Sequence, residues 1–134
     1  MANECSNCKT HQETVLVPDE LTSYAPTATA AIRYCPQCLT VEADEPDDAV
    51  DDQSFTAIHP RFPSGTQGVG LLLLLAKLDS LALNRREIES LCAFLESNGV
   101  DLFLTLDRLI ADPEIEPQID LDRRRTQLEA LLSK

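Results

Sequence analysis

A chain of 134 residues has room for one small domain or two very small modules, and a core of that size is marginal unless something such as a bound metal reinforces it. The formal net charge of -12, from 23 Asp and Glu against 11 Lys and Arg, disfavours nucleic acid or an anionic membrane as the default partner. The most apolar stretch, VGLLLLLA from Val69 to Ala76, meets Lys77 and Asp79 at once and falls well short of the roughly 20 residues a membrane span needs. The opening MANECSNCKTHQ has neither the basic nor the apolar region of a secretory signal, so a soluble cytoplasmic protein is expected.

The first 41 residues carry two Cys-x-x-Cys pairs, Cys5 with Cys8 in ECSNCKTH and Cys35 with Cys38 in RYCPQCLT. Thiols stay reduced in a cytoplasm, which turns paired cysteines toward metal or catalysis and away from structural disulfides. Zinc takes four tetrahedral ligands, and two residues between thiolates let the backbone curl into a knuckle around the ion. Cys5, Cys8, Cys35 and Cys38 are therefore expected to hold one structural zinc, with the 26 residues between the pairs forming an extra turn or helix. A redox dithiol would need its CxxC at the start of a helix behind a strand. Cys5 has no room for that strand, and Cys38 leads into LTVE, which reads as another strand.

A catalytic zinc would keep an open position and would usually involve His or carboxylate. His11 lies three residues after Cys8 but is not needed once four thiolates complete the shell, and His59 has no ligand partner at metal spacing. Glu13 to Val17 reads as a short strand, Pro18 to Tyr24 as a helical turn and Leu39 to Val41 as a further strand. The arrangement resembles a zinc ribbon with rubredoxin-like knuckles. Many such knuckles place Gly after the second Cys to permit a left-handed turn, whereas this chain has Lys9 and Leu39 there.

Residues 42–52 hold seven acids and no base around Pro46, the signature of a solvated linker. They lack the Gly and the terminal Glu of a calcium loop. The domain reading is thus a zinc-ribbon module at 1–41, an acidic linker at 42–58 and a helical bundle at 59–134, in an α+β chain.

Ser64 with Gln67 offers a capping box for the first helix, whose apolar positions from Val69 through Leu83 cover nearly its whole circumference. Asn84 with Glu87 opens a second helix, striped by Ile88, Leu91, Cys92 and Leu95 until Asn98 and Gly99 stop it. Cys92 reads there as a small core hydrophobe. Asp101 caps a third helix with Leu102, Phe103, Leu106, Leu109 and Ile110 inward, ended by Pro113. After a Pro-bounded loop, Asp120 caps a fourth with Leu121, Leu128, Leu131 and Leu132 on one face. Short connections predict a compact antiparallel bundle. Arg123, Arg124 and Arg125 lie in the first turns of the last helix, where the dipole disfavours cations. Surface pairing, such as Arg125 with Glu129, competes there with a phosphate or acidic-partner contact.

CSNC, CPQCL, the acidic break, FPSG, LDSLALNR, GVDLFLTLDRL and DLDRRR together resemble a family of uncharacterised haloarchaeal proteins with an N-terminal zinc ribbon. The few Lys among the bases and the absence of Trp fit such a salt-adapted source. The resemblance implies ribbon roles for Cys5, Cys8, Cys35 and Cys38 and no activity. No nucleophile beside a base, phosphate-cradling glycine loop or small-molecule site is evident, so no catalytic or cofactor-binding residue is assigned. The expected function is a non-enzymatic zinc-binding adaptor whose partner is a protein. The alternative is a nucleic-acid-associated ribbon protein using Arg123 to Arg125, with a redox thiol role behind both.

Overall fold

A computed structural model describes residues 5, 9–26, 29–46, 49 and 54–133. It shows an α+β chain, a three-stranded antiparallel sheet followed by four helices. Strand β1 (Glu13–Leu16) pairs with β2 (Ala31–Tyr34), and β2 with β3 (Val41–Asp44), in the order β1-β2-β3. The register sets Val15 against Ile32 and Tyr34 against Val41. Strand alternation therefore gives the sheet one apolar face, on which Val15, Ile32 and Tyr34 are buried. A 3-10 helix, Asp19–Tyr24, joins β1 to β2 and buries Leu21.

The other face is polar. Arg33 approaches Glu42 at 3.3 Å and Asp44 at 3.7 Å, and the Thr14 hydroxyl donates to Asp44. Burial pushes the Asp44 carboxyl up, but the bonds from Thr14 and the Glu45 N–H, with the Arg33 charge, outweigh it and hold the group below the usual carboxylate range. These contacts explain why the third strand begins at Val41 and runs through Glu42 to Asp44, into the acidic stretch. Two of that stretch's carboxylates thus share the Arg33 charge on the sheet. Of the rest of the charge run, Glu45 is exposed, and the acids at 47, 48, 51 and 52 lie outside the described residues.

Helices α1 (Gly65–Lys77), α2 (Arg85–Ser97), α3 (Leu102–Ala111) and α4 (Leu121–Leu132) pack in sequence, each on the next. Gly68 to Leu75 of α1 are all buried, as a helix apolar on every side requires, with β3 packed on one flank and α2 on another. Phe55, buried and with φ 56°, precedes this helix and sets its ring edge-on to Tyr34 at 5.4 Å and against Phe62 at 5.6 Å. One apolar cluster thus runs from Val15, Ile32 and Tyr34 through Phe55 to the leucines of α1, α2 and α3.

The apolar run does not stay helical as far as Leu83. It passes at Lys77 into a 3-10 helix, Leu78–Ser80, and Leu83 projects with 89% of its surface exposed. No helix among the described residues is long and apolar enough to cross a membrane.

Candidate metal centre

Cys35 closes β2, and the next residues turn back so that β3 can pair with the strand they have just left. The turn is a knuckle: Leu39 N donates to Cys35 O at 2.9 Å, Cys35 N to Thr40 O at 3.0 Å, and Cys38 N to Cys35 Sγ at 3.4 Å. The first pair repeats the outer two bonds, with Lys9 N donating to Cys5 O and Cys5 N to Thr10 O, both at 2.8 Å. Lys9 and Leu39 adopt φ 63° and 61°. The left-handed turn expected to need glycine is therefore made by two side-chain-bearing residues at equivalent positions, at a cost of roughly 1–2 kcal/mol each.

The knuckles bring Cys5, Cys35 and Cys38 together, their sulfurs within 4.8 Å of one another, and Cys5 and Cys38 stand 3.5 Å apart. All three are free thiols with 2% or less of their surface exposed. Four sulfurs about 2.3 Å from a tetrahedral centre lie roughly 3.8 Å from each other, so sulfurs gathered this closely could hold a metal ion. A disulfide would require about 2.05 Å. Cys8, the expected fourth ligand, lies outside the described residues.

A family model described as a family of unknown function (DUF6276) matches residues 4–132, a span that includes all four paired cysteines. The chain belongs to that family. No curated protein and no solved structure matches it.

Around the cysteines the structure adds partners that sequence reasoning missed. The Thr40 hydroxyl is hydrogen-bonded to Cys38 Sγ at 2.9 Å, whereas the corresponding Thr10 hydroxyl donates instead to Gln37 Oε1 at 2.5 Å. Burial raises the Cys38 thiol, opposed chiefly by the bond to Thr40. The signal was present as a six-residue repeat, C-x-x-C-x-T, in CSNCKT and CPQCLT.

The remaining candidates stand apart from the cluster. His11 is exposed with its Nε2 3.7 Å from Glu13, and His59 Nδ1 accepts from Arg61 N at 3.0 Å. Cys92 is buried in α2, and burial, reinforced by the charges of Glu96 and Glu89, pushes its thiol up to about 12. That makes it an inert core residue at neutral pH. Arg125 forks onto Asp107 at 2.9 and 3.3 Å, reaches Glu129 at 3.1 Å and covers the Phe103 ring at 5.0 Å. Arg124 donates to Gln127 and to Asp79 O, both at 3.0 Å. Arg123 is exposed.

Proposed function

We propose that the chain is a non-enzymatic zinc-binding adaptor in which Cys5, Cys8, Cys35 and Cys38 hold one structural zinc ion. The observation that carries this reading is the meeting of three buried free thiols on two knuckles with matching backbone bonds, their sulfurs within 4.8 Å of one another. Burying three thiols in one place has little packing value, whereas a thiolate-bound ion would tie together two knuckles that few large side chains support. Sequence position makes Cys8 the counterpart of Cys38 and hence the fourth ligand. An all-sulfur shell favours zinc over hard cations, which take oxygen. A closed four-ligand shell leaves no open position for a bound water, which supports a structural role over a catalytic one.

The adaptor reading extends this to a protein partner in a cytoplasmic, salt-adapted setting, consistent with the acidic composition. Nucleic acid is the weaker reading because Arg124 and Arg125 are already engaged within the chain. A phosphate-binding mode would show affinity for DNA or RNA falling steeply with salt, and the adaptor reading expects no such binding.

The deciding measurement is elemental analysis of purified protein. One zinc per chain is expected in the native protein and in Cys92→Ser, with loss of tight stoichiometric zinc in Cys35→Ser and Cys8→Ser. Retention of tightly held zinc by Cys35→Ser would end the four-thiolate assignment.

A further inference from the structure

Residues 112–120, between α3 and α4, cross the second knuckle. Glu116 N donates to Gln37 O at 2.8 Å and Gln118 N to Cys38 O at 3.1 Å. The two donors flank Pro117, which has no N–H to offer, and they meet the carbonyls of consecutive residues in the turn. Gln37 Nε2 also donates to Glu116 Oε1 at 3.4 Å, while Gln37 Oε1 receives the Thr10 hydroxyl. The first knuckle, the second knuckle and the crossing segment therefore lie on one chain of hydrogen bonds.

Packing on both sides of that line is open. A cleft of about 160 Å³ separates Thr40 and Leu75 from Pro117 and Ile119, and another of about 400 Å³ separates Pro36 and Ala57 from Asp112 and Glu114. The segment bridges between them, held by buried Ile115, by the knuckle carbonyls that follow it and by buried Leu121 where α4 begins. Helix α4, which it delivers, buries only Leu121 and Leu128, against eight residues of α1. Its N-terminal turn depends on Asp120, which accepts from Arg123 N at 3.1 Å and lies two residues beyond Gln118.

We propose that metal loading of the cysteine site latches residues 112–120, and through them the start of α4, onto the second knuckle. This deepens the zinc reading and rests on it. One of the two acceptor carbonyls belongs to a metal-site cysteine and the other to its neighbour, so an ion that fixes the Cys35 and Cys38 sulfurs also fixes the acceptors. Without the ion, only the burial of the Leu39 side chain and the backbone bonds of the turn oppose the left-handed strain there. The knuckle opens, and the carbonyls leave their place under Glu116 and Gln118. The coupling is reciprocal: a segment that fits only the formed knuckle raises its affinity for metal.

Hydrogen exchange of the full chain, with zinc and after chelation, tests this when zinc content is measured on the same samples. Chelation is expected to speed exchange at Leu39, Glu116, Gln118 and Arg123 by roughly tenfold or more, with Ile88 to Leu95 of α2 little changed. Gln118→Pro, which deletes one donor, is expected to keep the helical circular dichroism and to bind zinc several-fold more weakly in competition with a chromophoric chelator. Zinc present at one per chain with Glu116 and Gln118 equally protected after its removal would overturn the latch and leave the metal assignment standing. A collapse of protection in α2 together with the segment would also overturn it, since release would then be global. A protein that binds no zinc loses both readings. If Gln118→Pro does not fold, the exchange measurement on the native chain decides; if it folds with unchanged zinc affinity, the coupling is refuted.

Discussion

Lys9 and Leu39 occupy the same strained backbone conformation but differ in what their side chains do. Lys9 is exposed, while Leu39 is buried in the apolar cluster that joins the sheet to the helices. Glycine relieves left-handed strain at either position and adds some freedom to the unfolded chain. Lys9→Gly is therefore expected to be neutral or to stabilise the protein by up to about 1 kcal/mol. Leu39→Gly is expected to destabilise by about 2 kcal/mol or more, because it also removes a buried leucine. Chemical denaturation of both variants beside the native protein checks this, and equal effects would show that strain and not burial governs the turn. That the chain tolerates two non-glycine residues here accords with knuckles whose shape is imposed by their sulfurs.

Among the elements, α1 is the most tightly enclosed, and Gly68 shows why. A Cβ at that position would lie 2.4 Å from two Phe55 ring atoms and from Pro63 O, whereas one at Gly70 would meet the half-buried Phe94 ring at 2.9 Å. Gly68→Ala should cost roughly 1–3 kcal/mol or more, since neither a backbone carbonyl nor a wedged ring yields easily. Gly70→Ala should cost clearly less, seen as a smaller drop in urea midpoint at unchanged slope.

The helices themselves were legible because caps and stripes are local. Asp101 and Asp120 make the cap bonds their positions promise, to Leu104 N and Arg123 N. Ser64 and Asn84 occupy N-cap positions without such side-chain bonds, and Asn84 instead donates to the Lys77 and Ser80 carbonyls. Glu13 to Val17 was legible as a strand, whereas the strand expected at Leu39 to Val41 runs instead from Val41 to Asp44, into residues whose charge suggested a linker. The attachment of residues 116 and 118 to the knuckle was not, because a backbone donor meeting a distant carbonyl leaves no mark on residue type. The left-handed turns were hidden for a related reason: the residue that usually reveals them is absent.

At the scale of the whole molecule, the sheet and the helices share one apolar cluster, so the native protein should unfold as one cooperative unit. Both tyrosines, Tyr24 and Tyr34, lie in the sheet half and there is no Trp, so tyrosine fluorescence reports that half while far-UV circular dichroism is dominated by the helices. The two probes are expected to give coincident denaturation midpoints. Separated midpoints would mean two independently stable halves. The Tyr34, Phe55 and Phe62 rings bear on a different matter, the manner in which any partner is met. A ribbon on a free tether could search for one surface while the helices held another, gaining avidity from an effective concentration set by tether length. Here the acidic stretch enters from Asp44 in the sheet and leaves at Phe55 in the core, so both its ends are moored to the same body. A partner touching both the sheet and the helices therefore meets two surfaces held at one fixed spacing, with little orientational freedom left to lose and no reach to gain.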